Sequence, residues 1–280
     1  MTAIPALGGS AVRGSRRAGR SSLAVAWILG LALALPVVVL VARAVAGGSF
    51  AAMLGSAAVI DALVLSLGTT ACSLAVTIAI GMPLAFVLAR RRFRGSALLE
   101  TVVDLPIVLP PAVAGLALLL VLGRRGLLGA PLDLLGLNIP FTTLAVVIAQ
   151  VFVASPFFIR SARAGLAAVD RDVEDAARVD GATEADIIRW ISIPLAAPAL
   201  AAGLVMAWAR ALGEFGATIM FAGNVEGRTQ TLPLLVYGEF QGGDLDASIA
   251  AAAVLVIAAA GVLLAVRALH WGRALDTATR

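Results

Sequence analysis

Two residues of opposite charge, Arg210 and Glu214, interrupt a long apolar stretch and are the sharpest chemical feature of this sequence. Residues four apart on a helix share one face and can pair. A charge in the hydrocarbon region of a membrane is costly, which makes such residues functional candidates. Two interpretations stay open: a structural ion pair, or a functional role of the arginine, whose positive charge would suit an anionic ligand. We do not expect Glu214 to be a direct ligand of that kind, because an unpaired carboxylate repels an anion.

Prolines and glycines mark positions where the backbone itself could matter. Pro106, Pro110 and Pro111 fall early in another apolar stretch, where each removes a backbone donor. Broken backbone at membrane depth is tolerated where it faces protein or a water-filled cavity. The prolines therefore predict either a segment that lines a cavity within the membrane or a kink. Gly213 and Gly216 allow close helix approach, and small-residue packing is their simplest interpretation.

Residue types exclude several other chemistries. All 21 basic residues are arginines, so a phosphate-binding loop of the G-x-x-x-x-G-K type is excluded and any nucleotide hydrolysis must be done by a partner. No cluster of His or Cys supports a bound metal, and the single Cys72 excludes an intrachain disulfide. A nucleic-acid interface needs basic residues gathered on one face with aromatics among them. Here aromatics are 5% of the chain and the arginines lie between apolar blocks.

The composition is that of a membrane protein. Of the 280 residues, 61% are hydrophobic and 14% are charged, whereas a soluble domain is about 45–50% apolar and roughly 25% charged. A membrane-crossing helix needs about 20 mostly apolar residues. Six blocks of the sequence meet that requirement, and they predict an all-α bundle of six transmembrane helices: residues 23–46, 62–89, 102–122, 141–159, 197–221 and 248–268.

The arginines predict how this bundle is oriented, since cytoplasmic loops carry the excess of positive charge. With both termini inside, sixteen of the 21 arginines fall in cytoplasmic segments and four, at positions 43, 124, 125 and 228, fall outside or at the outer end of a span. This gives a cytoplasmic tail over residues 1–22, a transmembrane domain over 23–268 with a cytoplasmic loop at about 160–196, and a second cytoplasmic tail over 269–280.

The cytoplasmic loop reads as a helix, a corner and a second helix lying against the inner membrane surface. Gly181 falls where the first helix would stop, because glycine accepts the left-handed conformation just past a helix end. Thr183 followed by Asp186 is typical of a helix start. The periodic apolar residues are Val169, Val173, Ala176 and Ala177 in the first helix, and Ile187, Ile188 and Ile191 in the second, with Pro194 following it. A solvated loop is the alternative.

The same loop resembles a family signature. The segment Asp175-Ala176-Ala177, three residues, Gly181, nine residues and Ile191-Ser192-Ile193-Pro194 is similar to the E-A-A, G, I-x-L-P loop motif of binding-protein-dependent ABC importer permeases. Asp175 replaces the motif's Glu, although Glu174 precedes it, and Ile193 replaces its Leu; both changes keep the chemistry. The resemblance extends over about residues 66–268. The segments 210–217, 221–224 and 227–234 resemble the oxyanion branch of these permeases, and the molybdate permease subunits most.

The resemblance implies a type I ABC importer permease that works as a homodimer in a bacterial inner or plasma membrane. Two cytoplasmic ATPase subunits and an extracytoplasmic oxyanion-binding protein would be its partners, and molybdate the anion carried. Sulfate and tungstate are the alternative anions. An ion-coupled secondary transporter is a rival of another class, but such proteins usually carry several intramembrane carboxylates, and here only Glu214 lies clearly within a span.

Three groups of candidate site residues follow, and none is catalytic or a metal or cofactor ligand. The ATPase-coupling loop would comprise Glu174, Asp175, Ala176, Ala177, Gly181, Ala182, Ile191 and Pro194. The translocation path or gate would comprise Pro106, Pro110, Pro111, Arg210, Gly213, Glu214, Phe215 and Gly216. Binding-protein docking would use Arg124, Arg125, Asn224, Arg228, Thr229 and Gln230. For the outer arginines, a basic vestibule and no role at all are the alternatives. For the polar residues Asn224, Thr229 and Gln230, the alternative is loop capping.

Overall fold

The computed structural model describes residues 20–91 and 93–278, and within them it contains only helices and connecting loops. The predicted tail over residues 1–22 therefore lies almost wholly outside the described residues. The helices are α1 Arg20–Ala46, α2 Ser49–Leu54, α3 Ala57–Arg90, α4 Ser96–Val108, α5 Pro111–Leu122, α6 Gly129–Leu134, α7 Thr143–Ala167, α8 Arg171–Val179, α9 Glu184–Ile187, α10 Ile193–Leu212, α11 Gly216–Phe221, α12 Leu232–Gln241 and α13 Leu245–Ala278.

The predicted all-α bundle of six spans is confirmed, with one span of unusual form. Within the described residues, five helical stretches are long and apolar enough to cross a membrane: Leu23–Ala46, Ala57–Arg90, Thr143–Ala167, Glu184–Leu212 and Leu245–Ala265. α4 and α5 meet the same criterion as a pair that is bent by 117° at the break between them, and they form the sixth span when the pair is taken as one. We call the end of the bundle at Arg90 and α8 the inner end, and the end at α6 the outer end, following the distribution of arginines.

Small residues allow the central helices to pack closely. α3, α7 and α10 meet through buried alanines, among them Ala85, Ala154 and Ala207. A Cβ on Gly203 would lie 2.6 Å from the Cβ of Ser161. Without a hydrophobic driving force between helices in lipid, such close approach is a main source of stability. α1, by contrast, is apolar on all sides and has nearly all of its described side chains exposed, as expected of a helix that faces lipid.

The third span is broken, and the break explains which prolines matter. Pro106 remains inside the continuous helix α4. Pro110 is the residue before α5 and Pro111 is its first residue, where a missing N–H costs nothing because it has no helical partner. The chain bends by 117° between α4 and α5, so the prolines disturb the helix as predicted, in the form of a break between two helices. A lining of the translocation path stays a prediction.

The fifth span differs from its prediction at both ends. The second helix of the inner loop does not end at Pro194: α9 continues through a π-helical segment, Ile188–Ser192, into α10. Pro194 is the second residue of α10 and directly follows the π-helical segment. At the other end α10 stops at Leu212, and α11 is a separate short helix. The prediction of one uninterrupted span over residues 197–221 is wrong, because the helix is interrupted at residues 213–215.

Candidate functional site

The two breaks in the spans lie against each other. A Cβ on Gly216, the first residue of α11, would lie 2.6 Å from the Cβ of Pro111, the first residue of α5. A Cβ on Gly115 would lie 2.5 Å from the carbonyl oxygen of Ala217. The predicted path residues from two distant segments are thus brought together, and glycine at both positions is what permits the contact. The packing interpretation of Gly216 is confirmed; Gly213 has no contact of this closeness.

Arg210 and Glu214 form an ion pair, although they do not share a helix. α10 ends at Leu212, so Glu214 lies in the break and reaches back to Arg210, whose Nη1 pairs with Glu214 Oε2. The other carboxylate oxygen, Oε1, accepts a hydrogen bond of 2.6 Å from the backbone N–H of Ala217. The Glu214 side chain is fully buried and that of Arg210 is 28% exposed. The carboxylate therefore joins α10 to the start of α11, whereas a role of Arg210 toward an anion stays a prediction.

Sequence reasoning missed a buried amide beside this break. Gln150 on α7 donates from Nε2 to the carbonyl oxygen of Ala211 at 3.2 Å and to Thr70 Oγ1 at 3.4 Å. The Ala211 carbonyl lies near the end of α10, where it also accepts from the Glu214 N–H at 3.2 Å, and Gln150 adds a contact from α7. Its own Oε1 is buried without a hydrogen-bond partner among the described residues. A lone amide in an apolar span is the sequence signal that could have identified it.

At the inner end, the predicted corner of the loop is confirmed. Gly181 has a φ of +91°, and no atom lies within 4 Å of the position its Cβ would take. Thr183 and Asp186 then start α9 with a capping box, in which the Asp186 N–H donates to Thr183 Oγ1 at 3.3 Å. Ala182 is half-buried beside the corner. The left-handed turn is thus required by the backbone alone.

The acidic residues of α8 face opposite ways. Asp175, which stands at the acidic position of the family motif, is exposed and pairs with Arg178 on the same helix. Arg178 also binds the Glu184 carboxylate at 2.6 Å, a hydrogen bond that raises the pKa of the arginine above its ordinary value. Glu174 instead points into the bundle, where it meets Arg90 and Ser192.

The valines within α8 are exposed. Val173 and Val179 are 46% and 88% exposed, whereas Val169, which precedes the helix, packs in the core of the bundle. The expected helix is present and Glu174 occupies its buried side; its position against the membrane surface stays a prediction. Ala176 is exposed, and Ala177 and Ile191 are half-buried. The result is a short helix with an exposed apolar edge at the inner end.

At the outer end, two of the predicted docking arginines line one cleft. Arg124 and Arg228 border a cavity of about 300 Å³ together with Asn138, Pro140, Phe141 and Leu119. With its amide oriented so that the oxygen accepts, Asn138 holds Arg124 Nη2 at 2.8 Å. Neither arginine has a carboxylate within ion-pair distance among the described residues, and Arg125 does not line the cavity.

The polar residues of the neighbouring loop turn inward. Asn224 donates to the carbonyl oxygen of Leu234 at 3.2 Å, and Thr229 Oγ1 accepts from the Val225 N–H at 2.9 Å. Thr229 is buried and Gln230 is half-buried. For Asn224 and Thr229 these contacts are those of loop capping, the alternative that the sequence left open.

Comparison with known proteins identifies the family of this fold. Residues 78–277 match the family described as the binding-protein-dependent transport system inner membrane component. The chain belongs to this family. It is therefore a multi-pass inner-membrane permease component of an ABC importer, as the loop motif indicated.

Relatives and solved structures agree with this family. The chain is 43% identical over 207 residues to the molybdenum transport system permease protein ModB of Mycobacterium bovis, covering 74% of this chain and 78% of the relative. It is 39% identical over 191 residues to the ModB protein of Escherichia coli K12, covering 67% and 83%. A bacterial ABC transporter that imports alginate has the same fold, with a TM-score of 0.71 at 17% identity over 89% of this chain and 93% of that one. The MetNI methionine transporter follows with a TM-score of 0.57 at 19% identity over 76% and 94%.

Proposed function

We propose that this permease carries molybdate into the cytoplasm, driven by ATP that a separate subunit hydrolyses. The observation that carries the proposal is the 43% identity with a molybdenum permease along 78% of that protein's length. The absence of lysine from the sequence fits a division of labour in which this chain hydrolyses no nucleotide. We further propose that two copies of the chain form the membrane unit, the twofold arrangement that is commonest among soluble homo-oligomers.

The proposed translocation path or gate follows the two breaks in the spans. Its residues are Pro106, Pro110, Pro111, Arg210, Gly213, Glu214, Phe215 and Gly216. Broken backbone in a membrane protein has to be buried in protein or line a cavity, and here the break after Val108 lies against the break after Leu212. Because Glu214 neutralises Arg210, a divalent anion passing this point would meet no isolated positive charge. A site without a strong fixed charge supports release of the anion, since conduction requires that the anion bind weakly enough to leave the site.

The proposed docking site for the ATPase is α8 together with the corner at Gly181. The exposed edge of Val173 and Val179 offers apolar surface at the inner end, and exposed apolar residues rimmed by polar ones are typical of interaction sites. Ion pairs of Arg178 with Asp175 and Glu184 hold the helix and the start of α9 together. The loop can then be displaced by the ATPase as one rigid piece.

The proposed docking site for the binding protein is the outer arginine cleft. The guanidinium groups of Arg124 and Arg228 line it, and neither has a carboxylate within ion-pair distance among the described residues. Charged patches of this kind steer and orient an oppositely charged partner. Arg125 and Gln230 lie beside the cleft in sequence and would contact the rim. The orientation that this requires, with the cleft outside and both termini in the cytoplasm, is supported by the excess of arginines at the inner end.

The ATPase activity of the assembled complex tests the proposal. We expect molybdate-loaded binding protein to stimulate ATP hydrolysis well above the level seen with unloaded binding protein. Sulfate-loaded and tungstate-loaded protein, tested in parallel, identify the anion. Equal stimulation by sulfate would replace molybdate by a broader oxyanion class. Dependence of uptake on a proton or sodium gradient, without ATP, would indicate a secondary transporter instead.

A further inference from the structure

Glu174 lies where three elements of the inner end meet. It belongs to α8, and its Oε1 accepts a hydrogen bond of 2.6 Å from Ser192 Oγ and pairs with Arg90 Nη2. Arg90 is the last residue of α3, and Ser192 is the last residue of the π-helical segment that leads into α10. The Glu174 side chain is 6% exposed and that of Arg90 is 11% exposed. One carboxylate thus joins the inner loop to two different spans.

We propose that Glu174 is the positioning residue that makes α8 move as one body with α3 and α10. The inference rests on the proposed function, since it assumes that an ATPase displaces α8. A buried, hydrogen-bonded ion pair is directional, and removing one partner strands the other charge away from water. Such a contact transmits a displacement instead of yielding to it. Asp175, the acidic residue at the motif position, contacts Arg178 on the loop and no span.

The attachment of α8 makes this contact the mechanical link. Glu174 is the only buried residue of α8, whose nine residues all lie in the described part of the chain. Val173 and Val179, which could have packed against the spans, are exposed instead. α8 is therefore held to the bundle by a polar contact and not by an apolar face. A load applied to its exposed edge reaches the spans through Glu174.

The π-helical segment positions the Ser192 hydroxyl against Glu174. A π turn widens the helix by one residue and is frequently found at functional sites. Here it occupies Ile188–Ser192, and the hydroxyl that binds Glu174 belongs to its last residue. Ser192 is buried. The start of α10 is thus tied to α8 by a hydroxyl and to α3 through the shared carboxylate.

The test is the number of ATP molecules hydrolysed per anion imported, measured on the full complex in proteoliposomes. Glu174→Gln keeps the shape of the side chain and removes the charge pair. We expect it to assemble and to hydrolyse ATP, but to raise the ATP cost per anion at least about fivefold, the lower end of typical coupling effects. Glu100→Gln is the matched control: it makes the same substitution and removes an ion pair with Arg163 at the inner end, between α4 and α7 and outside the loop, so it should keep the wild-type ratio. A merely structural role would lower the amount or the thermal stability of the complex and leave this ratio unchanged.

Every outcome of this experiment is decisive. An unchanged ratio in Glu174→Gln overturns the inference while leaving the proposed function intact. Equal increases in Glu174→Gln and Glu100→Gln also overturn it, because the effect would then belong to ion pairs of the inner end in general. If Glu174→Gln fails to assemble, Ser192→Ala decides: a raised ratio supports the inference and a wild-type ratio overturns it. No uptake by the wild-type complex overturns the proposed function, and the inference with it.

Discussion

Gly216 and Pro111 pack against each other across the two breaks in the bundle. A Cβ added to the glycine would lie 2.6 Å from the Cβ of the proline. Gly115 is equally close to the backbone of Ala217. α5 and α11 are therefore packed with no room for one more methyl group at either position. This contact is what holds the broken third and fifth spans together.

Gly115→Ala should destabilise the permease and reduce the yield of assembled complex. Overpacking of this kind costs about 1–3 kcal/mol, and the atom in the way is a backbone oxygen that cannot rotate aside. Gly68→Ala is the control, since Gly68 lies on α3 with no atom within 4 Å of its Cβ position. Thermal unfolding of the purified protein measures the difference. Equal melting temperatures for the two variants would contradict the contact.

The pair of Arg210 and Glu214 predicts a characteristic mutational pattern. Because Glu214 is fully buried, Arg210→Gln leaves a carboxylate without its counter-charge, at a cost of about 3–5 kcal/mol. The double variant Arg210→Gln, Glu214→Gln should recover much of the assembly, since its amide oxygen can still accept from the Ala217 N–H. Amounts of assembled complex and molybdate uptake are the measurements. An Arg210→Gln variant that assembles normally but does not transport would show that the arginine serves the anion.

The corner at Gly181 predicts that only side chains tolerant of positive φ will be accepted. Gly181→Val should abolish stimulation of the ATPase, because the left-handed conformation costs an L-residue roughly 1–2 kcal/mol and a β-branched one more. Gly181→Asn should retain stimulation, since asparagine visits this conformation. There is open space around the position, so the comparison isolates the backbone. Wild-type stimulation in Gly181→Val would remove the corner from the coupling role.

The outer arginine cleft predicts which arginines contribute to the affinity of the binding protein. Arg124→Gln and Arg228→Gln should each weaken the affinity of the binding protein by up to about fivefold, the range of exposed ion pairs. The loss should shrink as salt is raised, because exposed charges are screened. Arg43→Gln is the control, because Arg43 is an exposed arginine near the outer end of α1 that does not line the cleft. Equal effects of Arg124→Gln and Arg43→Gln on binding would reject the cleft as the docking site.

The sequence predicted the features that depend on runs and local spacing. Apolar blocks indicated the spans, and the positions of Gly181 and Thr183 indicated the corner, because helix stops and starts are set by neighbouring residues. The loop motif predicted the family for the same reason. The break after Val108 was foreseen in kind from Pro110 and Pro111, but its angle of 117° depends on packing against α11.

Contacts between distant segments could not be predicted from the sequence. Arg90 and Glu174 are 84 residues apart, and nothing in either neighbourhood indicates which arginine the carboxylate will meet. Helical periodicity indicated α8 from Val173, but it could not show that Glu174 would occupy the buried side. The end of α10 at Leu212 was missed because the prediction treats residues 197–221 as one apolar block, although Gly213 and Glu214 interrupt it.

Uptake of labelled molybdate by the reconstituted complex tests the central claim most directly. The permease, its ATPase and its binding protein would be placed in vesicles, with ATP inside or outside as orientation requires. We predict accumulation of molybdate that needs both ATP and the binding protein and that excess unlabelled sulfate competes with poorly. Sulfate accumulation at the same rate, or molybdate accumulation without ATP, would contradict the account.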